Sequence, residues 1–166
     1  MARSLNANAA RQSAAATAIL DVELIDQCGV PCRLPQTCAL VILYRGYFCP
    51  LCREHLERLR ELAWRFRTLR VPLIAVSADG AADVARMANL LGDSISVLGD
   101  PQLRLIDALG VRNSDDEIGR PIAHPAAFGL GSNGNIRYRF IGRNPSDRPT
   151  IDLLLLAAER LAIGRD

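Results

Sequence analysis

Two short, uninterrupted apolar runs enclose a long amphipathic stretch in the middle of this chain. The first, residues 39–44, reads Ala-Leu-Val-Ile-Leu-Tyr; the second, residues 71–77, reads Val-Pro-Leu-Ile-Ala-Val-Ser. Runs this short and this apolar are expected of strands buried on both faces of a sheet. Between them, Leu56, Leu59, Leu62, Ala63, Phe66 and Leu69 keep three-and-four spacing and form one apolar helical stripe over residues 54–69. Arg58, Arg60, Arg65 and Arg67 fall off that stripe. A strand, a helix and a second strand in this order argue for a parallel pair joined by a crossover.

The rest of the chain extends the pattern. Residues 19–25 alternate in part and read as a half-exposed strand. Asp26-Gln27-Cys28-Gly29-Val30-Pro31 supplies a turn, and residues 32–34 a returning strand. After the second apolar run, Asp79 suits a helix cap, with Val84, Met87, Ala88 and Leu91 inward and Gly92 as the stop. Residues 95–98 read as a strand. Asp100-Pro101 reads as a cap followed by proline at the first helical position, with Leu103, Ile106 and Leu109 buried. Residues 111–121 are polar and read as a loop. Two strands, 126–130 and 136–141, flank the Gly/Asn-rich connection 131–135. A last helix over 150–163 places Leu153, Leu156, Ala157 and Leu161 inward. The expected fold is α/β: a central mixed sheet with an N-terminal β-hairpin and flanking helices.

At 166 residues the chain has the length of one domain with an ordinary core. Residues 1–18 are rich in Ala, Ser and Asn and lack the apolar core of a signal peptide. They read as a flexible or weakly helical leader, with a single domain over 19–166. No stretch approaches the ~18 apolar residues of a membrane span, and a cytoplasmic location is expected. The net charge is +2, which gives no nucleic-acid footprint. Five cysteines in such a chain point to metal or redox chemistry rather than a disulfide framework.

Cys49-Pro50-Leu51-Cys52 sits where the first buried strand hands over to the helix. If the helix starts near Pro50, Cys49 lies at its N-terminus, where unpaired N–H groups and the helix dipole favour a thiolate. Arg45 and Arg53 add positive charge nearby. Cys52, one turn on, is placed to attack a mixed disulfide or a sulfenic acid on Cys49. Two other readings stand beside this one: half of a zinc site, for which only Cys28 and Cys32 offer further ligands, or two buried structural cysteines. Cys28, Cys32 and Cys38 read as small apolar fillers near the sheet edge or as an auxiliary redox set. His55 reads as a partly exposed helix residue.

The segment Leu43-Tyr44-Arg45-Gly46-Tyr47-Phe48-Cys49-Pro50-Leu51-Cys52 resembles the active site of peroxiredoxin-like proteins. These form the alkyl hydroperoxide reductase/thiol-specific antioxidant (redoxin) branch of the thioredoxin fold. Residues 72–79, Val97-Leu98-Gly99-Asp100-Pro101, and His124-Pro125-Ala126-Ala127-Phe128 with Gly134-Asn135-Ile136 carry the resemblance further, over residues 19–161. It implies a thioredoxin-like fold and a thiol-disulfide oxidoreductase or thiol-dependent peroxidase, with Cys49 and Cys52 catalytic. It also implies that Pro125 is a cis-proline facing the dithiol and bordering the substrate with His124 and Arg45. The implied partners are a peroxide or protein disulfide and an external thiol reductant such as a thioredoxin or glutathione system. A homodimer is compatible with the resemblance. No metal or other cofactor, no nucleic acid and no membrane is implied.

The chain departs from the peroxiredoxin pattern Pro-x-x-x-Thr-x-x-Cys. In one register Arg45 takes the proline place, Cys49 the threonine and Cys52 the reactive cysteine; in the other, Cys49 is the reactive cysteine. A second arginine of the pattern is replaced by Pro125, which draws the reading towards disulfide exchange. A non-catalytic redox sensor or partner-binding module on the same fold is the alternative, motivated by Cys28, Cys32 and Cys38.

Overall fold

The computed structural model of the protein describes residues 2–164. Helix α1 (Ala2–Leu20) is followed by the short strands β1 (Leu24–Ile25) and β2 (Pro31–Cys32). Strand β3 (Ala39–Leu43) leads into helices α2 (Pro50–Glu61) and α3 (Ala63–Thr68), then strand β4 (Leu73–Ser77). Helix α4 (Ala81–Leu91), strand β5 (Ser96–Gly99) and helix α5 (Arg104–Ala108) come next. Strands β6 (Arg112–Asn113), β7 (Ile122–Ala123), β8 (Ala126–Leu130) and β9 (Ile136–Ile141) precede helix α6 (Ile151–Ile163).

The central sheet runs β2-β1-β5-β4-β3-β8-β9. The pairs β3–β4 and β4–β5 are parallel, whereas β3–β8, β8–β9, β1–β5 and β1–β2 are antiparallel. This is the expected mixed α/β sheet with its N-terminal hairpin. Every residue of β3 and β4 is buried. Alternation divides β3 between two apolar layers: Leu40 and Ile42 face α2, α3, α4 and α6, while Ala39, Val41 and Leu43 face α1 and α5.

Several boundaries differ from the sequence reading. Residues 19–20 are helical rather than extended. Ala16, Ile19 and Leu20 lie on one helical face and are buried against the sheet, so the strand shrinks to Leu24–Ile25. The stripe over 54–69 is broken at Leu62 (φ −104°, ψ 8°) into α2 and α3. Asp79 is not a helix cap; Gly80 takes that place, and the Asp79 carboxylate is drawn to other donors. Helix α5 starts only at Arg104, because the Asp100 carboxylate accepts from the Arg104 and Ile106 N–H groups and a turn fills the interval. The inner face of α6 is formed by Leu154, Leu155, Ala157, Ala158 and Leu161, leaving Leu153 and Leu156 exposed. Four consecutive leucines leave the helical phase open, and the docking against β3 and β8 sets it. The stretch read as a loop over 111–121 is anchored by the β6–β7 pair.

The carboxyl ends of β3, β4, β5 and β9 and the amino end of β8 gather at one end of the sheet. Leu43 pairs with Val76 and Ala126, and Ala126 with Ile141. Sites of open α/β sheets form outside the carboxyl ends of the strands. A cavity lined by Phe66, Arg70, Leu73 and Ser96 opens at the opposite, amino end of β4 and β5, with no cysteine in its wall.

Candidate active site

The turn between β3 and α2 is held from below. Tyr44 is buried and its N–H continues the ladder to the Val76 carbonyl. Gly46 has φ +152°, and a Cβ there would stand 2.6 Å from the Phe48 ring and 3.0 Å from Asp79 Oδ1. Only glycine fits this tight reversal. Asp79, fully buried as a side chain, accepts the Tyr47 N–H at 2.8 Å and an Arg120 N–H at 3.1 Å.

Cys49 is the N-cap of α2, and Pro50 takes the first helical position, where its missing N–H costs nothing. The Cys49 sulfur accepts from the Cys52 N–H at 3.4 Å and from Arg45 Nη1 at 3.7 Å. Arg148 Nη2 donates to Cys49 Sγ at 3.8 Å and to Cys52 Sγ at 3.0 Å. The Arg45 N–H points at Cys52 Sγ, 3.4 Å away. Both cysteines are free thiols and almost wholly buried, at 1% and 0% exposure.

These contacts drive the two thiols apart. The hydrogen bond from Cys52 is the largest influence on Cys49; the Cys52 N–H, Arg45 and Arg148 add to it and outweigh burial, lowering its pKa to about 5. Cys52 moves strongly the other way, because it is the proton donor to Cys49 and is deeply buried. Cys49 is therefore the thiolate and Cys52 the thiol. Of the two registers of the peroxiredoxin pattern, the electrostatics favour the one with Cys49 as nucleophile.

Arg45 is fixed by Asp116, with Nη2 at 2.9 Å from both carboxylate oxygens and Nε at 3.3 Å from one. Burial alone would raise the Asp116 pKa; the Arg45 hydrogen bonds, helped by the Ile118 N–H, hold it below the usual value. The Arg45 guanidinium also lies 5.3 Å from the Phe48 ring centre. Residues 114–121 thus reach the turn twice, through Asp116 to Arg45 and through Arg120 to Asp79.

Pro125 lies beside the turn, next to the Leu43–Ala126 pair, and its carbonyl accepts the Gly142 N–H at 2.7 Å. Its peptide bond is trans, as are all those among the described residues, against the expected cis-proline. The trans form is the intrinsically preferred one, and here it lets Pro125 lead straight into β8. His124 is half-buried near Asp116, and its backbone N–H donates to Val111. Among the described residues the hydrogen bonds to the two sulfurs come from Arg45, Arg148 and Cys52, so His124 stands beside the dithiol rather than on it.

Arg148 and Asp116 are the residues the sequence reading misses. Nothing local marks Asp116. Arg148 has a topological signal: β9 ends opposite the start of β8, so the segment after it must return to the turn. His55, half-buried on α2, reaches that segment through Nε2 and the Pro149 carbonyl, 3.1 Å apart.

Cys28 is exposed in the β1–β2 turn and Cys32 half-buried on the edge strand, and the filler reading fits only Cys38, which is buried. Cys38 precedes β3, a five-residue strand, and lies about 17 Å from the turn at its far end. No group of three or more His, Cys, Asp or Glu among the described residues is arranged to hold a metal ion. No helix among them is long and apolar enough to cross a membrane.

A match to the AhpC/TSA family spans residues 16–139. The chain belongs to the AhpC/TSA family, and with it to the thiol-dependent oxidoreductases. Among solved structures it is similar to peroxiredoxin 6 of Arenicola marina, at 20% identity and a TM-score of 0.75 over 87% of this chain and 71% of that one. Peroxidoxin BcpB of Mycobacterium tuberculosis matches at 21% identity and a TM-score of 0.70 over 87% and 94% of the two chains. The reduced Prx3 of Vibrio vulnificus in complex with hydrogen peroxide matches at 20% identity and a TM-score of 0.73 over 84% and 94%. These likenesses establish the thioredoxin-like peroxiredoxin fold. Against curated protein sequences the chain finds no match.

Proposed function

We propose that the protein reduces peroxides with Cys49 as the nucleophile and Cys52 as the resolving thiol. The observation that carries this reading is the placement of Cys49 as the N-cap of α2, with the Cys52 N–H and Arg45 Nη1 on its sulfur and the Cys52 thiol one turn behind it. A thiolate is available at neutral pH beside a partner that keeps its proton until it is needed.

In the first step the Cys49 thiolate attacks one peroxide oxygen. The O–O bond breaks, the sulfur is oxidised by two electrons to sulfenic acid, and the alkoxide or hydroxide leaves and is protonated. Arg45, held by Asp116, is placed to orient the peroxide and to stabilise the leaving oxygen. His124 and Pro125 border the approach from the neighbouring strand. In the second step Cys52 attacks the Cys49 sulfur: the S–S bond forms, the S–O bond breaks, and the hydroxyl departs as water with the Cys52 proton. An external thiol reductant, one dithiol of the thioredoxin type or two glutathione thiols, then returns two electrons and is itself oxidised to a disulfide, which suits a cytoplasmic setting.

Burial of both sulfurs favours a small oxidant over a protein disulfide, and the trans Pro125 removes the main argument for a peptide-presenting groove. Disulfide exchange keeps one supporting observation: Phe48 and Leu51, on either side of Cys49, are 38% and 42% exposed and offer an apolar platform to a partner protein. That platform suits the reductant as well. The test mixes reduced protein with hydrogen peroxide, quenches with a sulfenate-trapping diketone, and follows Cys49 by mass spectrometry. A Cys49 sulfenate that gives way to a Cys49–Cys52 disulfide is expected. Inertness to peroxide together with efficient reduction of insulin disulfides would transfer the assignment to disulfide exchange.

A further inference from the structure

The segment from Gly142 to α6 is tied down more thoroughly than an exposed connection needs to be. The Gly142 N–H donates to the Pro125 carbonyl, the Arg143 N–H to the Asp147 carboxylate, and the Ser146 and Asp147 N–H groups to the Asn144 side chain. Arg148 Nε donates to the Pro145 carbonyl at 3.0 Å, while Nη2 of the same guanidinium reaches the dithiol. On the far side of Arg148, His55 reaches across from α2 to the Pro149 carbonyl. A carbonyl accepts, so His55 Nε2 carries the hydrogen and Nδ1 does not; Nδ1 is buried with no hydrogen-bond partner among the described residues. Burial is the first reason this ring titrates low, and the charges of Arg148 and Arg58 add to it.

The two arginines of the site do not do the same work. Arg45 Nη1 approaches Cys49, the thiol already inclined to ionise, while its Nε and Nη2 are held by Asp116. Arg148 Nη2 is 3.0 Å from Cys52 and 0.8 Å farther from Cys49 (3.8 Å). Once Cys49 carries a hydroxyl it is no longer an anion, and Cys52 loses the acceptor that held its proton. Its thiolate must then form in a buried place, where an unpaired charge is costly. Among the described residues the only positive charge in contact with its sulfur is Arg148.

We propose that Arg148 is a catalytic residue of the resolving step, stabilising the Cys52 thiolate as it attacks Cys49, and that His55 is the positioning residue that holds it there. In that step the Cys52 sulfur gives up its proton to the departing hydroxyl and is oxidised to the disulfide level, while the Cys49 sulfur falls from the sulfenic to the disulfide level. The guanidinium bonds the Cys52 sulfur while it is charged and loses that partner's charge when the S–S bond closes. The inference rests on the peroxide-reducing reading above.

The test is rapid-quench kinetics with hydrogen peroxide on wild type, Arg148→Gln, His55→Leu and His55→Gln, timing the Cys49 sulfenate and the Cys49–Cys52 disulfide separately. In Arg148→Gln the disulfide step is expected to slow by at least about tenfold relative to the sulfenate step, the loss of one charge-assisted hydrogen bond. Cys49 sulfinic acid should then build up at high peroxide, because the sulfenate lives longer. His55→Leu should show the same imbalance in weaker form. His55→Gln, which keeps an N–H for the Pro149 carbonyl, should restore it; a purely structural role for His55 would move both steps together. Equal slowing of both steps in Arg148→Gln, or no change in their ratio, overturns the proposal while leaving peroxide reduction intact. A wild type that forms no Cys49 sulfenate removes the peroxide reading itself and this inference with it.

Discussion

The reactive pocket has two walls of different construction. The near wall is the turn from Tyr44 to Arg53. It is buried, glycine-dependent and locked by backbone hydrogen bonds to β4 and by the Asp79 carboxylate. The far wall is the segment 142–150, mostly exposed and held by side-chain bonds to its own backbone, with His55 as its tie to α2. The near wall creates the thiolate, since its largest contributions come from Cys52 itself. The far wall acts on whichever sulfur is charged at the time. In the proposed reaction a rigid element sets which cysteine is the nucleophile, and a separately anchored one bears on how quickly the partner follows.

That contrast can be broken at several points. Cys49→Ser should have the largest effect, abolishing peroxide consumption and leaving Cys52 without a sulfenate to attack; loss of the trapped diketone adduct checks it. Cys52→Ser should preserve the first oxidation and stop there, so that the sulfenate persists and overoxidises, which the mass of the Cys49 peptide reports. Gly46→Ala should destabilise the near wall by about 1–3 kcal/mol in denaturant unfolding, because both the positive φ and the Phe48 ring oppose a Cβ. A milder change, Arg45→Met, should raise the Cys49 pKa by about one unit or more, seen as a shift in the pH dependence of alkylation. Smallest is Thr150→Ala at the rear of the far wall, where the hydroxyl accepts the Leu153 N–H; loss of this cap should cost about 1 kcal/mol.

The wild-type pH profile sharpens the same comparison. With Cys49 lowered to about 5, its alkylation rate should be level from weakly alkaline pH down to near 6 and then fall as the thiolate is protonated. The stability linkage has the same sign. A thiol lowered on folding stabilises the protein fully above its unfolded pKa of ~8.5, and that contribution is lost as pH falls towards the folded value. Stability of the reduced wild type relative to Cys49→Ser should therefore rise between about pH 5 and pH 8.5. A flat difference would mean that Cys49 is not ionised in the folded protein.

The near wall was legible because the residues that form it are neighbours in the chain, although Asp79 and Asp116, which brace it, are not. An apolar strand, a glycine, a Cys-Pro-x-Cys and a helical stripe adjoin one another in 31 residues, from 39 to 69. The central strands, the β8–β9 hairpin and the α4 stop at Gly92 follow from patterns of the same short range. The far wall depends on pairings across the chain, Leu43 with Ala126 and Ala126 with Ile141, and composition carries no trace of them. Asp116 is hidden for the same reason, in a polar stretch that reads as plain loop until β6 and β7 close it. The errors in α1, α5 and α6 are of another kind. There the apolar residues were recognised, but which of them are buried and where each helix begins depend on docking and on the Asp100 carboxylate, so that Leu153 and Leu156 lie outward and Ala16 inward.

The separation of the two walls along the chain has a consequence for the protein's birth. Arg148 follows Cys49 by 99 residues, and β3 cannot complete its pairing until β8 has been made. At roughly 5–20 residues per second, ribosomal synthesis takes on the order of 5–20 seconds to cover that interval. Throughout it the nascent dithiol is without its distant arginine, and for most of it without the strand that closes the sheet beside it. The growing chain thus holds both cysteines well before it holds the arginine that reaches their sulfurs. The contact between Arg148 and the two sulfurs is therefore the last part of the site to be assembled.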